Sequence, residues 1–207
     1  FTPCSINYYG SGEYMLIGGS NKKALLCTRE GNKLFELAVR KEWVWALKSR
    51  PGHNAVAVGD HGGGISMVNL QFATVHGLYK DRYAYREHMT DVIVQHLLTE
   101  QKVRIKCREY VKKVAVFRDR LAVQLPDRIH IYDLAHYEDS YDMHYRIKER
   151  IYKSLPCNLL VVTTNHIILC QERKLQLFDF QGNKVREWVL DAVIRYIKVD
   201  GGPGGCE

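Results

Sequence analysis

The chain has 207 residues, 46% of them hydrophobic, which is enough apolar sequence for a real core and excludes global disorder. The longest stretch without a charge, residues 154–171, contains proline, asparagine and histidine, so it lacks the composition of a membrane-spanning segment. The formal net charge of +7 keeps an anionic partner open as a hypothesis.

The two ends of the sequence indicate a piece of a longer protein. Phe1 stands within a strand-like pattern and without an initiator methionine, and residues 201–207 have the composition of a loop. We therefore expect further sequence on both sides of these residues.

The beginning of the chain predicts one sheet of four short strands. Residues 10–12, 19–21 and 30–32 are rich in glycine, serine and asparagine, which form tight turns at little steric cost. The segments between these turns are rich in apolar and aromatic residues, as expected of short, partly buried strands. The predicted strands are 5–9, 14–18, 24–28 and 33–37.

The same module returns in the next part of the chain. Its predicted strands are 43–47, 54–59, 64–69 and a fourth near 72–75. Ile17 and Val58, which occupy equivalent places in the two copies, are 41 residues apart. A period in the forties that contains strands and no helices is typical of β-propeller blades.

The repeat is interrupted once, between Asn69 and Asp133. Each of these residues closes the third strand of its copy, yet they are 64 residues apart, about twenty more than one blade needs. The surplus, roughly residues 76–107, holds a polar, aromatic run at 79–87 and one extra hairpin, 92–96 with 103–105. We interpret it as a junction between two propellers.

Two further copies follow the surplus, and a fifth begins at 193–197. The third copy has predicted strands at 114–117, 121–125, 129–134 and around 145–147. The fourth has predicted strands at 159–162, 166–170, 175–180 and 185–190.

A repeated motif carries the fold prediction. Residues 128–134 alternate apolar side chains and close on Tyr132-Asp133, and the pattern returns 46 positions later on Phe178-Asp179. In blades of the WD class the equivalent pair closes the third strand, where the ring packs into the blade and the acid bonds to turn donors. We therefore expect structural roles for Tyr132, Asp133, Phe178 and Asp179.

The predicted fold class is all-β, with WD40-type β-propeller blades from two consecutive propellers. Residues 1–78 would hold the last blades of a first propeller, residues 79–112 the junction with its extra hairpin, and residues 113–207 the opening blades of a second.

No pattern in the sequence predicts catalysis, a cofactor or a metal site. The glycines at 62–64 and 201–202 lack the Lys-Ser/Thr of a phosphate-binding loop, and we expect turns there. His130, His136 and His144 lack metal-ligand spacing, and the acidic run at 138–142 is predicted to be a solvated loop. Catalytic, cofactor-binding and metal-binding residues are therefore all predicted to be none, and the chain is not expected to be an enzyme.

The six cysteines are scattered, and none forms a C-x-x-C pair. Most stand in apolar strand contexts, which favours reduced, buried thiols of a cytosolic compartment over a disulfide framework or a zinc site. They are Cys4, Cys27, Cys107, Cys157, Cys170 and Cys206.

Residues 102–108 alternate cations with apolar residues, which predicts a half-exposed outer strand with its charges on one face. The alternative is a basic propeller that binds nucleic acid or an anionic membrane, with Tyr79, Tyr83 and Tyr85 as stacking platforms. Burial at the junction is the more ordinary use of these tyrosines. The cations of the alternative are Lys102, Arg104, Lys106, Arg108, Lys112, Lys113, Arg118 and Arg120.

Long strings of the chain resemble WD-repeat subunits of the intraflagellar transport A complex. The most specific strings are 74–86, 89–97 and 99–107, followed by 142–146, 165–172 and 194–199, so the resemblance runs from end to end. The chain departs from the ordinary WD consensus, since no Gly-His pair opens a repeat and Trp-Asp is replaced by Tyr132-Asp133 or Phe178-Asp179.

The resemblance implies two N-terminal propellers followed by a helical-repeat tail, in a non-enzymatic scaffold that supports retrograde ciliary transport, cilium assembly and ciliary entry of membrane cargo. It implies as partners other WD- and helical-repeat subunits of the complex, neighbouring components of the transport train and, indirectly, membrane-receptor cargo, with no nucleic acid. Expected locations are the cilium or flagellum, the basal body and the cytoplasm. The candidate junction or partner-binding residues are Tyr79, Arg82, Tyr83, Tyr85 and Arg86.

Overall fold

The computed structural model describes residues 1–135 and 143–199. Helices are absent from these residues, and their strands form five antiparallel sheets, so the predicted all-β class is confirmed. No helix long and apolar enough to cross a bilayer occurs in this part of the chain. His136, the acidic run 138–142, the glycines after residue 200 and Cys206 lie outside the described residues.

Residues Phe1–Ala73 form one compact unit of two sheets, with strands that pair in chain order. The first sheet contains β1 (Pro3–Tyr9), β2 (Tyr14–Gly19), β3 (Lys23–Thr28) and β4 (Lys33–Val39). The second sheet contains β5 (Val44–Ser49), β6 (Ala55–Asp60) and β7 (Ile65–Asn69).

Residues Thr74–Glu207 form the second unit, with three sheets in the described residues. The third sheet contains β8 (His76–Tyr79), β9 (Arg82–Glu87), β10 (Asp91–His96) and β11 (Lys102–Lys106). The fourth contains β12 (Lys113–Phe117), β13 (Arg120–Gln124), β14 (Ile129–Ala135) and β15 (His144–Ile151). The fifth contains β16 (Leu159–Val162), β17 (His166–Gln171), β18 (Lys174–Asp179) and β19 (Lys184–Val189).

Within each unit the sheets are arranged as consecutive propeller blades. The first strand of each sheet packs against the first strand of the next, β1 on β5 in one unit and β8 on β12 and β12 on β16 in the other. Apolar side chains fill the space between neighbouring sheets. One cluster, which includes Val92, Val94 and Leu121, joins the third sheet to the fourth, and another, which includes Ile131, Ile167 and Phe178, joins the fourth to the fifth.

Two predicted strands are wrong. Residues 72–75 do not pair as a fourth strand of the second sheet. The Val75 carbonyl instead accepts from the Arg86 N–H of the third sheet at 2.9 Å. The ring of Phe72 lies 6.2 Å from that of Tyr9 and 6.4 Å from that of Phe35. Residues 193–197 form no strand either, although the Ile194 N–H donates to the Glu172 carbonyl at 2.8 Å.

The segment interpreted as a junction with one extra hairpin forms the complete third sheet. The hairpin is present as β10–β11, and the aromatic run supplies β9, which pairs with the short strand β8. The sequence pattern missed this pair because β8 has only four residues and β9 alternates aromatic with charged residues in place of apolar ones. Lys80 makes the tight turn between them with φ of 48°.

Phe178 provides a test of sheet-to-sheet packing, because its ring is only 6% exposed and lies in the cluster between the fourth and fifth sheets. Phe178→Ala should lower the free energy of unfolding by about 3–5 kcal/mol, since it removes a buried ring and leaves a cavity. Val185→Ala, at a position that is 55% exposed on the same sheet, should change it by less than about 0.5 kcal/mol. Equal melting temperatures for the two variants would contradict this packing.

Candidate interaction surfaces

The two aromatic-Asp pairs lie at the predicted places in the fourth and fifth sheets. The rings of Tyr132 and Phe178 are buried, at 5% and 6% exposure. Asp179 accepts hydrogen bonds from the backbone N–H of Asn183 at 2.7 Å and from its side-chain amide at 3.0 Å. These donors hold the pKa of Asp179 below its usual range, so the carboxylate stabilises the turn after β18 in its charged form.

Asp133 has different partners from Asp179. Its carboxylate pairs with the Arg120 guanidinium on β13 and, at 3.3 Å, with the Lys148 ammonium on β15. Asp133 therefore links three strands of one sheet through ion pairs, where a bond to turn donors was expected.

A chain of polar side chains runs from the surface into the space between the third and fourth sheets. The Arg128 Nε–H donates to His130 Nε2 at 3.1 Å, and His130 Nδ1 lies 3.3 Å from the Tyr132 hydroxyl. Because Nε2 is an acceptor, the neutral ring carries its proton on Nδ1 and donates to Tyr132. The Tyr132 hydroxyl bonds in turn to Cys107, whose thiol donates to the Ile105 carbonyl.

Burial sets the charge states along this polar chain. It raises the pKa of the Cys107 thiol to about 11 and also raises that of Tyr132. It lowers the pKa of His130, with the nearby Arg128 and Arg150 cations acting in the same direction. Cys107 is therefore a protonated thiol at neutral pH and a poor nucleophile. Tyr132 and Cys107 belong to the apolar cluster between the third and fourth sheets.

Arg82 and Arg86 both connect the third sheet to the fourth sheet or to the residues just before it. Arg82 Nη2 donates to Asp119 Oδ1 at 3.0 Å, and its guanidinium lies beside the buried Tyr145 hydroxyl. Arg86 donates to the Val111 carbonyl at 2.9 Å and stacks over the Tyr110 ring with its Cζ 5.1 Å from the centroid. Both arginines therefore make hydrogen bonds inside the unit.

The three candidate tyrosines Tyr79, Tyr83 and Tyr85 have two different environments. Tyr79 packs edge-on against Phe117 of the fourth sheet, with ring centroids 4.9 Å apart. Tyr83 and Tyr85 lie on the opposite face of β9 from Ala84, with their ring centroids 5.3 Å apart. The Tyr83 ring centroid also lies 6.0 Å from that of His76. All three tyrosines are half-buried.

The basic strand β11 is an outer edge with its charges in solvent, as the alternation predicted. Lys102, Arg104 and Lys106 are exposed, whereas Val103 and Ile105 are half-buried. Arg104 pairs with Glu87 and, at 3.0 Å, with Asp91. Its charge is partly neutralised within the sheet, which weakens the electrostatic argument for an anionic partner.

Arg118 and Arg120 are engaged on the fourth sheet. Arg118 lies over the Phe117 ring at 5.3 Å, and Arg120 pairs with Asp133 and donates from Nε to the Thr164 carbonyl at 3.0 Å. The basic residues proposed for nucleic-acid binding are thus partly used in contacts of the fold itself.

The most exposed tryptophan side chains are those of Trp43, just before β5, and Trp45, on β5 in the first unit. Trp45 is the extra residue of a β-bulge between Val44 and Ala46, so it points outward while Val44 is fully buried. Trp43 is 42% exposed and Trp45 is 54% exposed. The Trp45 ring stacks on the His61 ring with the centroids 5.5 Å apart. We call Trp43, Trp45 and His61 the tryptophan surface. Exposed tryptophan is typical of protein-binding hot spots.

The described residues contain no group of three or more His, Cys, Asp or Glu side chains placed to hold a metal ion. His130, weighed as a candidate ligand, instead accepts from Arg128 and contacts Tyr132. Four thiols of the described residues are buried or half-buried, and only Cys4 is exposed.

Sequence reasoning missed the tryptophan surface and the polar chain. A β-bulge cannot be recognised from an apolar run such as 43–47, because the run has the same composition as a regular strand. Arg128, His130 and Tyr132 did carry a usable signal, since residues two apart on a strand share a face.

The chain is similar over its whole length to curated relatives named intraflagellar transport protein 122 homolog. Over 207 residues it is 58% identical to the relatives from Mus musculus and Homo sapiens and 56% identical to that from Danio rerio. The match covers 100% of this chain and 17% of each relative, so the chain spans about a sixth of their length. The family described as IFT122 second beta-propeller matches residues 76–207.

Solved structures show a weaker similarity. The β-propeller domain of Myceliophteria thermophila Cps50 (Swd1) is 12% identical, with a TM-score of 0.41, over 90% of this chain and 73% of that one. The computationally designed Ika8 protein is also 12% identical with a TM-score of 0.41, over 93% of this chain and 63% of that one. Similarity at this level supports no inference about function.

The lowered pKa of His130 predicts that the free energy of unfolding depends on pH. Its folded-state pKa lies below the ordinary 6.5, so the unfolded chain takes up the proton first as the pH falls. The contribution of His130 to stability is therefore present above about pH 6.5 and is lost as the pH falls toward the folded pKa.

His130→Gln keeps a neutral acceptor for Arg128 and should reduce the loss of stability between about pH 7 and pH 5. Urea unfolding at several pH values measures this slope, and His53→Gln, at an exposed position, is the control. An unchanged slope in His130→Gln would contradict the assignment of a neutral, hydrogen-bonded ring.

Proposed function

This chain belongs to the intraflagellar transport protein 122 family, and we propose that it is part of a non-enzymatic scaffold subunit of the intraflagellar transport A complex. In this role it supports retrograde ciliary transport, cilium assembly and ciliary entry of membrane cargo. The observation that carries the proposal is an identity of 54–58% to homologs of that name across the whole chain.

The contacts of the described residues support organised binding and not catalysis. The candidate titratable groups Arg82, Asp133 and His130 are engaged in contacts between or within sheets. Cys107 is held as a protonated thiol. The side chains that remain available to other molecules are exposed aromatic, apolar and basic groups on rigid strands, which suit protein contacts.

The proposed partners are other WD- and helical-repeat subunits of the same complex and neighbouring components of the transport train. Membrane-receptor cargo is reached indirectly. The proposed locations are the cilium or flagellum, the basal body and the cytoplasm. The relatives' name supports an association with intraflagellar transport, and the finer assignments are our own.

We also propose that residues 1–78 close a first propeller, that 79–112 lie at the junction and that 113–207 open a second. Two observations bear on the boundary. The compact units divide between Ala73 and Thr74, and the second-propeller family match begins at residue 76. Both observations support a change from one propeller to the next close to the start of the proposed junction.

The tryptophan surface is the best-exposed aromatic group of the first unit and provides a test of scaffolding. In the full-length protein, Trp45→Ala should weaken binding to sister subunits by about 2 kcal/mol, roughly 30-fold, as at an interface hot spot. Affinity capture of tagged full-length protein, followed by quantification of the co-purified subunits, measures the effect.

Tyr152→Ala is the matched control, because Tyr152 is an aromatic residue that is 71% exposed on the other unit. Neither substitution should shift the melting temperature by more than a few degrees, since both rings are largely in solvent. Normal recovery of every sister subunit with Trp45→Ala would remove this surface from the scaffold interface. Failure of the wild-type protein to co-purify with any of them would end the broader proposal.

A basic propeller that binds nucleic acid or anionic membrane is the second candidate, favoured by the exposed Lys102 and Lys106 on β11. The scaffold proposal predicts no binding of the full-length protein to RNA or to phosphatidylserine vesicles at physiological salt. Fluorescence anisotropy and vesicle sedimentation across a salt series measure this. Binding that weakens steeply with salt and is lost in Lys102→Glu/Lys106→Glu would favour the second candidate.

A further inference from the structure

The outer edge of β11 is a regular strand edge without a partner among the described residues. β11 is the last strand of the third sheet, and only β10 pairs with it. The β10–β11 register contains no bulge, so the whole strand keeps the alternation of an ordinary antiparallel ladder. The free side of β11 is therefore able to receive another strand.

The fourth strands of the other complete sheets are protected against strand addition. Register shifts place extra residues on each of them, two on β4, one on β15 and one on β19. A β-bulge bends an edge strand and interrupts its row of hydrogen-bonding groups, which opposes pairing with another chain. Among the four complete sheets in the described part of the chain, only the third has a fourth strand without a bulge.

The backbone bonds of β11 show which of its groups point to the free side. The Cys107 N–H, just after the strand, donates to the Thr90 carbonyl at 3.0 Å. Because such groups alternate along an antiparallel strand, the N–H and C=O groups of Val103 and Ile105 also face β10. The outward groups are those of Lys102, Arg104 and Lys106.

The side chains of the same three residues make this edge cationic. They are exposed and lie on the face away from the apolar cluster shared with the fourth sheet. Arg104 is paired with Glu87 and Asp91. Lys102 and Lys106 form no ion pair with any described residue, so one uncompensated positive charge lies at each end of the edge.

We propose that the outer edge of β11 binds an extended, acidic segment of a partner protein, which adds antiparallel to the third sheet as a fifth strand. The segment carries Asp or Glu at alternate positions, because directly opposed side chains of neighbouring strands lie on the same face and interact. Backbone hydrogen bonds supply the affinity in this mode of binding, and the side chains supply the specificity. The choice of a protein as the partner rests on the proposed scaffold role.

The charges on β11 select against other strands. A second copy of this chain would bring its own β11 cations against Lys102 and Lys106, and like charges at opposed positions are destabilising. Lysine on an edge strand also discourages pairing with apolar strands. The outward N–H and C=O groups are still present, so a strand of opposite charge is accommodated. A nucleic acid or an anionic membrane would use the cations and not these backbone groups.

Peptide binding to the purified full-length protein tests the proposal. The probe is a fluorescein-labelled peptide of about seven residues that alternates Glu with Val, close to the length of an ordinary strand. With Glu opposite the β11 cations, the Glu amides face β11 and the Val amides face solvent. N-methylation of the Glu amides should weaken binding at least about tenfold in fluorescence anisotropy, whereas N-methylation of the Val amides should change it by less than about threefold. A peptide that alternates Lys with Val should bind at least about tenfold more weakly.

Substitution of Lys106 separates the backbone contribution from the charge. Lys106→Ala removes one exposed cation and should weaken binding of the Glu-Val peptide by about threefold. Lys106→Pro also removes an outward N–H and should weaken binding at least about tenfold further. Proline is tolerated on an edge strand where its missing N–H would face solvent, so the two variants should melt within a few degrees of each other. Equal peptide affinity of the two variants would overturn the proposal.

Hydrogen exchange on the wild-type full-length protein gives a readout that does not depend on variants. The three outward amides of β11 should exchange fast in the protein alone and slowly with saturating Glu-Val peptide. The amides of Val103 and Ile105 should be protected in both states, because they donate to β10. Protection of the outward amides before the peptide is added would overturn the proposal, since another segment of the same chain would then occupy the edge.

The same measurements separate this site from the other proposals. Salt-sensitive binding to RNA or to phosphatidylserine vesicles that is lost in Lys106→Ala, without protection of the outward amides by the peptide, would assign the cations to an anionic polymer or membrane and overturn strand addition. Absence of Glu-Val peptide binding would remove the site even if sister subunits co-purify normally. Peptide binding with the expected amide protection would support the site even if no sister subunit co-purifies, and the scaffold proposal alone would then fail.

Discussion

Apolar contact between the faces of neighbouring sheets is the interaction on which this structure depends. Each sheet has two faces, and a four-stranded sheet alone buries neither of them well. Val92 and Leu121 meet between the third and fourth sheets, and Ile131 and Ile167 meet between the fourth and fifth. A sheet at the end of such a series leaves apolar groups exposed, as Ile6 and Tyr8 show on β1.

Polar side chains fix how the sheets are oriented once apolar contact brings them together. Arg82 and Arg86 on β9 donate hydrogen bonds to Asp119 and to the Val111 carbonyl. The hydrogen-bonded side chains from Arg128 to Cys107 also lie between the third and fourth sheets. Apolar packing allows neighbouring sheets to slide against each other. A buried hydrogen bond opposes such sliding, because a polar group that loses its partner keeps the free-energy cost of its desolvation without compensation. Arg82 and Arg86 thus help to fix the geometry between the third and fourth sheets. Rigid geometry is also what a scaffold needs if several partners are to bind at fixed positions.

The surfaces left for other molecules follow from how the strands end and bulge. Trp45 is exposed because an extra residue interrupts the β5–β6 register, and the outer edge of β7 has no partner strand among the described residues. Both features lie in the first unit. Neither depends on an unusual residue type, since similar apolar residues elsewhere in the chain are buried in ordinary strands.

The sequence by itself determined the all-β class, most strand positions, the buried rings of Tyr132 and Phe178 and the alternation on β11, because short-range periodicity and turn chemistry report local burial. It also determined the family, through long strings that propeller packing does not demand. Only the tertiary structure decided that residues 76–106 form a full sheet, that 72–75 and 193–197 are not strands, and that Arg82 and Arg86 bond within the unit. These outcomes depend on partners such as Asp119 and Tyr9, which are distant along the chain, and a local pattern carries no information about which distant group a side chain will meet.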